Sequence, residues 1–242
     1  MLTTCRYLRV GGALVAGLGA SLMLASCGLI SSDVTNFDLA LPAKKFTIDT
    51  GGWQVSQTTA QQYLSTSCQS SEDVCRSAVE QFCPTGCSGS CNEAQACDLS
   101  LNITLSQTIN LVMEQPELKT LSDEPAINVA IDSVTYEISW NSLDVDTPPL
   151  TVYVAPASAL VPTDANVKAI GTIAPVAVGE TTTTPRPITF SATGKAQLVE
   201  AMRMFKTPFN VLIGSSIVVT AGQQLPVGKL DAVVHITGHA GL

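Results

Sequence analysis

Leu99, Leu101, Ile103 and Leu105 alternate with Ser100, Asn102 and Thr104. Alternation with a period of two puts every apolar side chain on one face of an extended chain, so this stretch is predicted to be a strand with one wet face. Such a strand must bury its apolar face against a second layer. Ile109, Leu111 and Met113 keep the same parity, but an unbroken strand over 99–113 would run about 50 Å; a bend or a helical turn is expected near Gln107. The pattern then recurs. Ile127, Val129 and Ile131 alternate, and Val134, Tyr136, Ile138 and Trp140 alternate in the opposite parity. One extra residue near Asp132–Ser133, as a β-bulge or a tight turn, explains the switch. Further strands are expected at Leu150–Val154, at Ala169–Val178 with Pro175 confining it to an edge or a break, and at Ile188–Ser191. Two more are expected at Phe209–Val219 and Leu230–Ile236. A single helix, Gly194–Lys206, puts Leu198, Val199, Met202 and Phe205 on one face. Many short strands with one inserted helix predict an antiparallel β-sandwich over 98–242.

The chain before Asp98 has a different texture. Lys44–Asp49 alternates as a short strand, with Phe46 and Ile48 on one side; Gly51-Gly52 turns, and Trp53 and Val55 are expected to continue the pairing. Thr58–Ser67 is expected to be helical with Tyr63 and Leu64 inward. A second helix starts at Ser71, with Glu72 and Asp73 at its positive end and Val74, Ala78, Val79 and Phe82 at helical spacing. Cys83-Pro-Thr-Gly-Cys-Ser-Gly-Ser-Cys-Asn has little to bury and is expected to be a loop ordered by cross-links.

Six cysteines, Cys68, Cys75, Cys83, Cys87, Cys91 and Cys97, lie within 30 residues, and none occurs in the 145 that follow. An even count in an exported chain predicts three disulfides, with the connectivity open. Thiolate ligation through Cys83, Cys87 and Cys91 is the rival, but the CxxC spacing of structural zinc is missing and no histidine is near.

Export is read from the first 26 residues. Arg6 and Arg9 form a positive end, and Val10–Ala25 is an apolar run of 16 residues, short of the ~20 needed to span a bilayer. A plain signal peptide cut near Ala25 is the other option. Leu24-Ala25-Ser26-Cys27 resembles the lipobox of the bacterial lipoprotein signal family. That resemblance implies a diacylglyceryl group on the Cys27 sulfur, a further acyl chain (palmitate or similar) on its amine, and membrane lipid as the first partner. Two or more chains hold stably where one is marginal. Gly28, not Asp, follows, which in the enteric sorting rule points to the outer membrane of the cell envelope. Residues 27–43 are then expected to be a lipidated tether, 44–97 a cysteine-rich segment, and 98–242 the sandwich domain.

Losing Arg6 and Arg9 takes the formal charge from −8 to −10. Nucleic acid is a poor partner for such a surface, and anionic headgroups repel it, so lipid has to hold the protein down. Only 5% of residues are aromatic; Thr, Val and Ile abound, as suits strands. Candidate chemistry is thin. His235 and His239 stand four apart on an expected strand, roughly 13 Å between Cβ atoms, too far for one metal unless Gly238 turns sharply. Asp144 and Asp146 share one side of a loop, but calcium needs six or more oxygens. No Gly-x-Ser-x-Gly elbow and no phosphate-binding glycine loop is present. Neither a cofactor nor a catalytic set is expected.

The C-terminal half resembles a known family in its order. A strand ends in Tyr136, Ile138 and Trp140; then come Gly171-Thr-Ile-Ala-Pro-Val-Ala-Val-Gly-Glu-Thr-Thr, the helix, Pro208-Phe-Asn-Val-Leu-Ile-Gly and a last strand ending His-Ile-Thr-Gly. This is similar to the WHy domain, the late-embryogenesis type 2 family, over about 127–240. The resemblance implies an immunoglobulin-like sandwich without catalytic residues. The family's Asn-Pro after the first strand is missing; Asn141-Ser-Leu stands there. Together these features lead us to expect a non-enzymatic, membrane-anchored envelope lipoprotein with a structural, adhesive or partner-binding role. Binding an apolar ligand such as a lipid inside the sandwich is the alternative.

Overall fold

Two antiparallel sheets stack on each other in the computed structural model, which describes residues 36–71, 73–120 and 128–241. The leader 1–26, Cys27, Glu72 and Ile127 lie outside the described residues. The first sheet holds β1 (Asn36–Ala40) and β2 (Lys44–Asp49) in series along one side of β11 (Lys229–Gly241). On the other side of β11 runs β5 (Asn128–Asn141), and β8 (Arg186–Pro187) pairs with β5. The second sheet has the order β3 (Cys87–Cys91), β4 (Cys97–Ile109), β10 (Phe209–Val219), β6 (Leu150–Pro156), β7 (Lys168–Ile173) and β9 (Thr189–Phe190). The chain is thus mainly β and sandwich-like, as its alternation predicts.

The inward parity of both sheets fills the space between them. Leu99, Leu101, Ile109, Ile138, Leu150 and Ile170 are each under 2% exposed and belong to one continuous core. At about 25 cal/mol per Å² of apolar area, this burial is the main force that holds the layers together. Helix α4 (Gly194–Arg203) adds Leu198 and Met202 to the same core. Its first residue has to be glycine: a Cβ on Gly194 would stand 1.7 Å from the Ile170 carbonyl oxygen.

Several expectations need correction. The tether does not reach residue 43, because Asn36–Ala40 forms β1, which buries Leu39 and pairs with the end of β11. The boundary at 97/98 is no domain boundary. Residues 33–242 form one compact unit, and β3 pairs with β4 straight across it, Cys91 opposite Cys97. The loop expected over 83–92 is a strand from Cys87, ordered by hydrogen bonds to β4 as well as by cross-links. Trp53 and Val55 do not extend β2. Thr50–Trp53 is a 3-10 turn, started by Asp49 accepting from the Gly51 N–H and ended by Gln54 at φ 55°. The helical turn expected near Gln107 is present, a few residues later: β4 stops at Ile109, and Asn110 caps α3 (Leu111–Glu114). β7 ends at Ile173, two residues before Pro175, and α4 ends at Arg203, with Phe205 still buried.

The parity switch in β5 is a bulge. Thr237 faces Ser133 and Gly238 faces Ile131, which leaves Asp132 as the extra residue. A second bulge was not expected: Ala232 faces Ile138 and Asp231 faces Trp140, so Ser139 is extra. It turns Trp140 outward, and the indole is 60% exposed.

Helix α1 (Gln57–Leu64) packs on β4 and helix α2 (Asp73–Glu80) on β3. Ser56 caps α1, and the Ser71 hydroxyl accepts from the Asp73 N–H. Among the described residues no helix is long and apolar enough to cross a membrane.

Candidate functional site

All six cysteines are paired: Cys68 with Cys91, Cys75 with Cys97, and Cys83 with Cys87. The bridges tie α2, through Cys75, and the segments on either side of it, through Cys68 and Cys83, to the β3–β4 hairpin. The sulfurs of Cys68, Cys75 and Cys97 lie within 4.8 Å of one another, with Cys75 and Cys97 fully buried. Oxidised sulfur offers no thiolate, so the rival reading of Cys83, Cys87 and Cys91 as metal ligands fails. Packing under the bridges is tight. A Cβ at Gly89 would stand 2.1 Å from the Tyr63 hydroxyl and 2.6 Å from the Cys75 carbonyl oxygen.

The two histidines do not converge. β11 runs extended through Gly238, and each ring finds its own carboxylate on β5. His239 Nδ1 is 3.1 Å from Asp132 Oδ1, and His235 Nε2 is 3.6 Å from Glu137 Oε1. Asp144 and Asp146 do not converge either. Asp144 accepts from the Val227 N–H at 2.7 Å and Asp146 from the Val178 N–H at 2.8 Å, so both order loops.

The outer face of the first sheet carries a ladder of paired charges. Asp231 accepts from the Thr47 hydroxyl at 2.6 Å and lies 2.8 Å from the Lys45 ammonium. The Lys45 ammonium, and then the Thr47 hydroxyl, hold the Asp231 carboxyl below its ordinary range. Asp49 and Lys229 pair at 2.6 Å; Lys229 lowers the Asp49 pKa and Asp49 raises that of Lys229. Near the β8 side, Glu180 accepts from the Ala177 N–H and pairs with Arg186 at 2.6 Å. Those two contacts, the N–H first, lower the Glu180 pKa. Trp140 stands exposed opposite Asp231.

Sequence reasoning passed over this face. Its signal was present: Lys45, Thr47 and Asp49 occupy the wet parity of one strand and Lys229 and Asp231 that of its neighbour, with opposite signs. Only the register sets Asp231 opposite Thr47 and Lys229 opposite Asp49.

Among the described residues the fold also carries hollows. One of about 340 Å³ lies beside α4 and is lined mostly by apolar groups, among them Val154, Pro156, Ala201, Met204 and Phe209. Two others, of about 430 and 220 Å³, flank Trp53, whose indole N–H donates to the Asn102 carbonyl at 3.0 Å. Compared with known proteins, the chain matches no protein-family model, no curated protein and no solved structure.

Proposed function

We propose that this is a cell-envelope lipoprotein, anchored by acylated Cys27, whose sandwich serves a non-enzymatic, partner-binding role. The observation that carries the reading is the Leu24-Ala25-Ser26-Cys27 stretch closing an apolar run behind Arg6 and Arg9. Three disulfides within 30 residues support it, since such bridges persist in oxidising compartments. Eight residues lie between Cys27 and Asn36, and the nine steps from one to the other reach at most roughly 30 Å. A formal charge of −10 after cleavage gives no attraction to anionic headgroups, which leaves the work to the acyl chains. Cell fractionation of Cys27→Ser tests this. The variant is expected in the soluble fraction and the parent in membranes after salt and carbonate washing; a variant that stays in membranes overturns the anchor.

The groove beside α4 favours a second reading, an apolar ligand held outside the core. The space between the sheets is already taken by Leu99, Leu101, Ile138 and Leu150. Lipid co-purifying with the Cys27→Ser protein, and lost on Met204→Glu, would favour this reading.

A further inference from the structure

Trp140 is out of keeping with its strand. Val134, Tyr136 and Ile138 point inward, and strict alternation would bury the indole with them. The bulge at Ser139 sets Ser139 and Trp140 together opposite Asp231, on the wet face. Bulges recur where a side chain has to be re-aimed, and an indole left in water forgoes one of the largest burial gains available to a residue.

The groups around the indole are fixed. Asp231 is held on one oxygen by Thr47 and on the other by Lys45. The Ser139 hydroxyl donates to the Asp231 carbonyl at 3.3 Å. Asp49 pairs with Lys229 at one side. At the other, Thr182 brackets Ile138 through two hydrogen bonds at the start of the threonine run 181–184. The ion pairs Lys45–Asp231 and Lys229–Asp49 balance, and Glu137, the next outward residue of β5, stands 3.6 Å from His235, so this patch carries at most one net charge on a strongly acidic protein.

That combination selects a ligand class. An apolar protein surface would strip water from four charged groups without replacing its hydrogen bonds, which is costly. A highly charged partner finds little net charge to complement. A neutral sugar ring meets both demands. Its C–H face stacks on the negative face of the indole, and its hydroxyls bond to the fixed polar groups. A carboxylate offers about four acceptor sites, and Asp231 has used one on each oxygen. We propose that the Trp140 face binds a neutral polysaccharide. This deepens the partner-binding part of the reading above but does not need the lipid, so a failed anchor and a failed glycan site are told apart. The face is also well placed. Asp231 lies ten positions along β11 from Gly241, where β1 begins, or about 33 Å at strand rise.

The test is calorimetric titration of the purified mature protein with two neutral probes, the β-1,4-linked tetrasaccharides of glucose and of N-acetylglucosamine. Saturable binding to at least one is expected. Trp140→Ala should lower affinity at least tenfold and Trp140→Phe should keep most of it. Because the side chain is exposed, the circular dichroism of both variants should match the parent. Absence of binding to both probes at millimolar concentration overturns the proposal, as does binding that Trp140→Ala leaves unchanged. Envelope cross-linking that captures a protein through position 140, without saccharide binding, assigns the face to that protein and equally overturns it.

Discussion

Asn210 is a fully buried polar side chain in the middle of the second sheet. Its amide donates to the Ala157 and Ala159 carbonyls at 3.1 and 2.7 Å, and its oxygen accepts from the Thr108 hydroxyl at 2.7 Å. It thereby ties the turn after β6 to both β10 and β4. Asn210→Ala leaves two carbonyls without that donor, and a loss of about 2–4 kcal/mol in urea unfolding is expected. Tyr63 sits under the disulfides, and its hydroxyl donates to the Asp98 carbonyl at 3.1 Å. Burial, followed by the nearby Asp98 charge, pushes its pKa from 10.0 up to about 12. The neutral phenol is the form that folding favours. Its contribution to stability is whole below pH 10 and is lost as pH rises through about 12. Spectrophotometric titration should find a tyrosine ionising near pH 12 that Tyr63→Phe removes, and the same variant should flatten the fall in stability between those values. At this scale the sequence was a partial guide: it pointed Tyr63 inward, but nothing local marked Asn210, because its partners lie 51, 53 and 102 residues away.

At the scale of elements, the bridges differ in what they close. Cys75–Cys97 spans 22 residues and is fully buried, while Cys83–Cys87 spans four. By loop-closure entropy the first should stabilise by about 3 kcal/mol and the second by about 2 kcal/mol. The Cys75→Ala/Cys97→Ala pair should therefore unfold at a lower urea concentration than the Cys83→Ala/Cys87→Ala pair, and more so because it also leaves a cavity. Gly89→Ala should cost about 1–3 kcal/mol, since the added methyl meets the Tyr63 hydroxyl and the Cys75 carbonyl. Alternation made most strands legible, from β2 to β11. The bulge at Asp132 was legible too, as a change of parity. The bulge at Ser139 left no such mark, since only two residues follow it before the chain leaves the sheet. β3 was missed because Cys-Ser-Gly-Ser-Cys has no alternation of apolar residues; it is a strand because β4 offers it an edge and two bridges hold it there.

For the whole molecule, the paired carboxylates set the acid limit. Asp49, Asp231 and Glu180 all ionise below their ordinary values because cations or N–H groups face them. Their contribution is whole above the ordinary carboxylate range and is lost as pH falls through their lowered values, so stability should decline below about pH 4. These pairs are exposed, and added salt should shrink the effect. Chain composition announced an acidic, strand-rich, oxidised body. It did not announce that the cysteine-rich segment and the sandwich share one core, because that union rests on the β3–β4 hairpin, whose first strand shows no alternation, and on the long-range register of β2 with β11. The reading as a whole turns on Cys27. Intact mass of the protein purified from membranes, before and after reduction, tests it most directly. The expected species begins at Cys27, carries the added mass of its acyl groups, and gains two hydrogens for each of three disulfides. A species that retains residues 1–26, or that has an unmodified Cys27, would contradict it.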